Sequence, residues 1–282
     1  MTAGDARAPI GVFDSGVGGL TVLAALRMRL PHERFVYLGD TARLPYGTKT
    51  GGTVARYALQ AARCLMRRDV KMIVVACNTA SAVAIEPLAA AKELAGVPVV
   101  GVVEPGAAAA VAQSRTGRIA VLGTESTIVG GAYDRAIARR RAEAIVTGRP
   151  CPLFVALAEE GWVTGDVPRA VAETYVADLV QAGARDGRPD HDTVVLGCTH
   201  FPVLREVIAS VAGPDVALVD SAETTADVVA TRLEEASLSA PGAVSSPTPV
   251  LLATDGAERF ARVGARFLGL PLRAADVEVV DL

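Results

Sequence analysis

Two cysteines, Cys77 and Cys198, stand in matching surroundings in opposite halves of the chain. Each closes a short apolar run, Lys71 to Ala76 in the first case and Thr193 to Gly197 in the second. Each is followed by small polar residues, Asn78, Thr79 and Ser81 after the first and Thr199 and His200 after the second, and then by a helical pattern. Apolar runs of this length read as strands of a parallel sheet covered on both faces. Ligands of open α/β sheets bind outside the carboxyl ends of the strands. A lone cysteine is usually a small buried hydrophobe. Two with the same polar sequel predict one thiol on each side of a shared cleft.

Four uses of such a pair compete. In the first, both are simple core residues, which leaves the polar neighbours unexplained. A redox disulfide is disfavoured by the absence of a CxxC pair and by the cytoplasmic setting expected below. A Cys–His hydrolase built on Cys198 and His200 would leave Cys77 idle, and a histidine two residues after the nucleophile is an odd arrangement. The fourth use fits the symmetry best: each thiol acts as acid or base on one face of a bound carbon, one deprotonated and the other protonated. A carbon α to a carboxylate is a very weak acid, so the site must make thiolate available and exclude water. Asp14 and His200 are suited to exchange a proton with one thiol each. Asn78, Thr79 and Thr199, with nearby backbone N–H groups, are suited to hold carboxylates.

The chain has 282 residues, 51% of them hydrophobic, with a formal net charge of −3 and no dense basic cluster. That argues against nucleic acid as a partner. No apolar run reaches a membrane span and the first residues lack a signal-peptide core, so a cytoplasmic protein is expected. The remaining two of the four cysteines, Cys64 and Cys151, read as structural, and no zinc spacing is present.

Strands and helices alternate along the chain. Ile10–Phe13 is a strand leading into the Gly-rich turn Asp14-Ser-Gly-Val-Gly-Gly19 and a helix from Leu20 to Leu30. The turn is neither a Walker loop nor GxGxxG, and Asp14 would repel phosphate. Its glycines suit close approach to a small carboxylate ligand at a helix N-terminus. Phe35–Gly39 is a strand before the loop Asp40–Gly47, and a helix from Gly52 to Asp69 leads into the Cys77 strand. A strand at Val97–Val103 precedes an exit at Glu104-Pro105. Then come a strand at Arg118–Leu122, a helix from about Ile128 to Arg141, short extended or turn segments at Ala144–Val146 and Cys151–Leu157, and a helix from Asp166 to about Ala182. After the polar loop Arg185–Asp190 and the Cys198 strand follow a helix at Phe201–Val211, a strand at Val216–Val219 and a helix to about Glu235. Ser237–Pro249 is the most loop-like segment. A strand at Val250–Thr254 and a helix to about Leu268 follow, and Val277–Leu282 is extended. The class is therefore α/β with parallel sheets, and the halves echo each other as two similar domains.

Four motifs in this order give a specific resemblance. Asp14-Ser-Gly-Val-Gly-Gly-Leu20, Gly39-Asp-Thr-Ala-Arg-Leu-Pro-Tyr-Gly47, Ala76-Cys-Asn-Thr-Ala80 and Gly197-Cys-Thr-His-Phe-Pro202 resemble the signature of the glutamate racemases, a cofactor-independent family of the aspartate/glutamate racemase superfamily. Cys151-Pro-Leu-Phe154 with Glu159, and Thr254-Asp-Gly256 with Phe267-Leu-Gly269, extend it over nearly the whole chain. The resemblance implies interconversion of L- and D-glutamate without a cofactor or metal, supplying D-glutamate for peptidoglycan. Cys77 would take the proton from D-glutamate and Cys198 from L-glutamate, assisted by Asp14, His200 and Glu159. Spacing does not separate Glu159 from Glu160. Asp14, Ser15, Tyr46, Gly47, Asn78, Thr79, Thr199 and His200 would contact substrate. The resemblance also implies two pseudo-symmetric α/β domains, residues 1–104 with 214–282 and residues 105–213, an active site in the cleft between them, and a homodimer. The competing readings are an aspartate-specific relative, an amino-acid-binding protein that kept the fold, and a redox thiol protein.

Overall fold

The computed structural model describes residues 5–181, 190–242 and 247–282. Its strands are β1 (Ile10–Asp14), β2 (Phe35–Gly39), β3 (Met72–Val75), β4 (Val99–Gly101), β5 (Arg118–Gly123), β6 (Ile145–Pro150), β7 (Thr193–Gly197), β8 (Ala217–Asp220), β9 (Val250–Ala253) and β10 (Val277–Val279). Its helices are α1 (Leu20–Arg29), α2 (Gly51–Met66), α3 (Asn78–Ala90), α4 (Val103–Gln113), α5 (Glu125–Val129), α6 (Ala132–Ala138), α7 (Pro152–Glu160), α8 (Asp166–Gln181), α9 (Arg205–Ala212), α10 (Ser221–Glu235) and α11 (Ala257–Leu268). The chain divides into two compact units, residues 1–102 with 222–282, and residues 103–221.

The first unit holds a six-stranded sheet in the order β10-β9-β2-β1-β3-β4, parallel at every pairing. The second holds a four-stranded parallel sheet in the order β6-β5-β7-β8. In each sheet the chain runs first to one side of a starting strand and then to the other. The crevice created by that reversal lies at the carboxyl ends of β1 and β3 in the first unit, and of β5 and β7 in the second. β1, β2, β3 and β7 are buried along their whole length, as expected for strands covered on both faces. In the first unit the core against α2 and α3 is formed by residues including Phe13, Leu38, Val54, Leu65, Ile73, Val75 and Leu88.

Several boundaries differ from the sequence reading. The strand expected at Val97–Val103 spans only Val99–Gly101, and Glu104-Pro105 lies in the first turn of α4 instead of a connection. A proline is harmless there because the first-turn N–H has no partner within the helix, and a glutamate there suits the positive end of the dipole. The segment Cys151–Leu157, expected to be extended or a turn, is helix α7, with Pro152 at its first position. The long helix expected over Ile128–Arg141 breaks at Gly130-Gly131, where Gly131 takes a φ of 59°. β8 pairs with β7 through Thr193↔Ala217 to Leu196↔Asp220, so a boundary at residues 213 and 214 would separate a pair of hydrogen-bonded strands. The first unit resumes at Ala222. The polar loop Arg185–Asp190 lies outside the described residues apart from Asp190, and so do some residues of the Ser237–Pro249 segment.

Candidate active site

In the first unit the turn after β1 and the start of α3 bring Asp14, Ser15, Cys77, Asn78 and Thr79 to one crevice. Cys77 is the residue before the first turn of α3, at the end of a helix where the leading N–H groups look for partners beyond the helix's own carbonyls. Its sulfur lies 3.6 Å from Ser15 Oγ. Burial pushes the Cys77 thiol up to about 12, the Asp14 carboxylate adds to the rise, and the Ala80 N–H with the Ser15 hydroxyl and N–H oppose it. Asn78 and Thr79 are buried in the first turn of α3.

Asp14 is 1% exposed, and its Oδ2 accepts the Gly16 N–H at 2.9 Å. It therefore shapes its own turn. It does not cap α1, whose capping residue is Gly19. A Cβ at Gly19 would stand 2.5 Å from the Asp14 Cβ and 2.9 Å from the Ala76 Cβ. That glycine lets α1 start directly against the carboxylate and the Cys77 strand. On the neighbouring strand, Tyr37 is fully buried and its hydroxyl donates to the Gly16 carbonyl at 2.8 Å.

Tyr46 is also fully buried, and its hydroxyl donates to Asp40 Oδ2, the oxygen that also takes Arg43 Nε at 2.6 Å. Thr254 donates to the other Asp40 oxygen at 3.0 Å. The Tyr46 phenol is thus committed to Asp40. The short helical turn Tyr46–Thr48 packs against α3.

In the second unit the crevice is built from β7 and α7. Cys198 follows β7 and lies 3.7 Å from His200 Nδ1, and His200 Nε2 lies 3.1 Å from Glu159 Oε1. Cys198, Thr199 and His200 are all buried. Glu159 is partly buried against the histidine, whereas Glu160 is exposed on the helix end. α7 is held in place by Phe154, whose ring packs edge-on to Phe201 at 5.3 Å and to Tyr175 at 5.2 Å. Tyr133 of α6 is buried here, its ring 3.1 Å from where a Gly197 Cβ would be, just before Cys198. All four cysteines are free thiols, and among the described residues no group of three or more His, Cys, Asp or Glu is placed to hold a metal. No helix among the described residues is long and apolar enough to cross a membrane.

Residues 21–229 match the family described as Asp/Glu/hydantoin racemase. A glutamate racemase from Geobacter metallireducens is 50% identical over 273 residues, covering 97% of this chain and 96% of the relative. The chain belongs to this racemase family. Solved structures agree with the assignment. A glutamate racemase from Thermus thermophilus, in complex with β-chloro-D-alanine, has 44% identity and a TM-score of 0.83 over 99% of this chain and 98% of its own. One from Francisella tularensis, in complex with D-glutamate, has 34% identity and a TM-score of 0.86 over 98% of each chain. The protein is accordingly an amino-acid racemase of the cofactor-independent kind.

The racemase thus gathers its expected site residues into two groups. Asp14, Ser15, Cys77, Asn78 and Thr79, with the Tyr46–Gly47 turn, lie in one unit, and Glu159, Cys198, Thr199 and His200 in the other. Of three further neighbours of these groups, sequence reasoning read one, Cys151, as structural and passed over two. Cys151 ends β6 as Cys77 ends β3, with its sulfur 3.3 Å from the Arg149 carbonyl and its thiol pushed up to about 12 by burial. Tyr37 and Tyr133 are the others. For Tyr37 a signal existed: a phenol within a run buried on both faces must find a hydrogen-bond partner inside the protein.

Proposed function

We propose that the racemase interconverts L- and D-glutamate by proton transfer at Cα, with Cys77 and Cys198 as the two bases. The observation that carries this reading is the equivalence of the two thiols: each follows a strand at the reversal point of its own parallel sheet, with a titratable neighbour, Asp14 for Cys77 and His200 for Cys198. The names of the relatives support glutamate as substrate. In the D-to-L direction the Cys77 thiolate takes the α-proton and becomes a thiol. The Cα electron pair delocalises into the carboxylate. The Cys198 thiol then gives its proton to the opposite face and becomes a thiolate. In the reverse direction the roles exchange. The N–H groups at the start of α3 stabilise charge developing on the carboxylate. Asp14 returns Cys77 to the protonation state it needs, and His200, backed by Glu159, does the same for Cys198. The mechanism requires one thiol at each face of the same carbon. Work in the cytoplasm, supply of peptidoglycan precursors and a homodimeric state rest on the family resemblance. A depleted strain's need for added D-glutamate, and sedimentation of the purified protein, test the last two.

The deciding experiment is α-proton exchange in deuterated water with each glutamate enantiomer, following the Cα–H signal and chirality. The wild type should exchange and racemise both. Cys77→Ser and Cys198→Ser should each lose racemisation by on the order of 10³ or more. Cys77→Ser should keep exchange with L-glutamate, and Cys198→Ser should keep exchange with D-glutamate. Racemisation surviving in either variant would rule out the two-thiol mechanism, and exchange with aspartate alone would replace the substrate.

A further inference from the structure

Tyr37 lies on β2, paired with Val12 of β1 in the parallel register that also sets Asp14 beside Gly39. Its ring is tilted 60° against Phe260 at 6.0 Å and is fully buried. Packing accounts for the ring but not for the hydroxyl. That hydroxyl donates to the Gly16 carbonyl at 2.8 Å, on the turn whose preceding residue, Ser15, sits against the Cys77 sulfur. Two further features tie the same turn to β2 and its end. Asp40 N–H donates to the Asp14 carbonyl at 3.0 Å. A Cβ at Gly39 would stand 2.4 Å from the Gly16 oxygen, so only glycine there allows so close an approach. Of these ties, the phenol is the one made by a side chain.

We propose that Tyr37 is a positioning residue for the Cys77 half of the reaction: by donating to the Gly16 carbonyl it fixes the Asp14–Gly16 turn so that Ser15 presents its hydroxyl and N–H to the Cys77 sulfur. The phenol is chemically suited to this task. Burial first, then the Asp14 and Cys77 charges, hold its proton on well above the ordinary tyrosine range. It therefore remains a donor and adds no charge beside the thiol. The Asp14 charge raises the Cys77 thiol, and the Cys77 charge in turn raises the Tyr37 and Tyr46 phenols; of these two phenols, Tyr37 acts on Cys77 through the turn.

The inference rests on the two-thiol reading, and the test separates the two. Racemisation reports both thiols together, whereas exchange in a single-thiol background reports one. Tyr37→Phe keeps the ring and removes only the hydroxyl. In the Cys198→Ser background it should slow exchange of the D-glutamate α-proton about three- to tenfold, the worth of one hydrogen bond. In the Cys77→Ser background, exchange with L-glutamate should change by less than about twofold. An equal loss in both backgrounds would reduce Tyr37 to a packing residue, and no loss in either would also overturn the proposal. Should neither background exchange at all, the two-thiol reading fails on its own. The positioning role is then judged by the pH dependence of Cys77 alkylation with iodoacetamide, followed on the Cys77 peptide by mass spectrometry. Its alkaline limb should move to higher pH in Tyr37→Phe, and a limb that stays in place would overturn the proposal.

Discussion

At Cys77, burial and the Asp14 carboxylate push in the same direction, against thiolate, and the Ala80 and Ser15 donors pull the other way. The thiol should accordingly react slowly with alkylating reagents at neutral pH and faster as the pH climbs towards about 12. Asp14→Asn removes the repelling charge. It should lower the Cys77 pKa and speed alkylation at any given pH below the new value. The same variant should lose racemase activity by on the order of 10², because a neutral amide cannot exchange the proton. Faster alkylation with lower turnover is the expected outcome, and parallel changes in both would show that Asp14 acts only through the field. The sequence marked Cys77, Cys198, Asp14 and His200 as candidates, since each ends or follows an apolar run. It could not separate Glu159 from Glu160, because adjacent residues on a helix differ only in the direction each faces. The contact with His200 at 3.1 Å settles which carboxylate meets the imidazole.

The element that carries Glu159 was the one least visible in the sequence. Cys-Pro-Leu-Phe has no helical period over so few residues, and Pro152 reads as a breaker until its place at the first helical position is known. α4 was hidden for a related reason: a run of small residues, Ala107 to Ala110, has no polar face from which to infer a period. Most strands and the long helices α2, α8 and α11 were legible because their patterns declare themselves, whereas β6, expected only as a short extended or turn segment at Ala144–Val146, runs from Ile145 to Pro150. α7 depends on tertiary packing, chiefly the two edge-on contacts of Phe154. Phe154→Ala should destabilise the protein by about 3–5 kcal/mol in urea unfolding. It should also cost activity more than stability alone explains, because α7 would no longer hold Glu159 against His200. Unchanged activity in the folded fraction would show that the carboxylate is positioned by other means.

Across the whole molecule, the strand orders β2-β1-β3-β4 and β6-β5-β7-β8 are the same device used in each unit. The first unit is discontinuous in sequence, and its return segment must be tied back. Lys71, at the entrance to β3, is buried and donates to Glu33 at 2.5 Å, to the Ala6 carbonyl at 2.6 Å and to the Leu238 carbonyl at 2.8 Å. Glu33 in turn accepts the Ala240 N–H at 2.8 Å. One buried ion pair thus fastens the N-terminal segment and the chain after α10 to the foot of the sheet. Lys71→Met would leave Glu33 buried without its cation and should cost about 3–5 kcal/mol in denaturant unfolding. Lys71→Met combined with Glu33→Gln should recover some of that loss. A single variant as stable as the wild type would show that the pair is energetically neutral.

The thiols keep different company, a carboxylate beside Cys77 and an imidazole backed by a carboxylate beside Cys198. For a catalyst of mirror-image interconversion this inequality is bounded by thermodynamics. Two enantiomers have equal free energy in water, so their equilibrium constant is unity and kcat/KM must be identical in the two directions, whatever surrounds each base. The unequal flanks are free to appear only in kcat and KM separately, as unequal saturation by the two hands of the substrate and unequal rates once saturated.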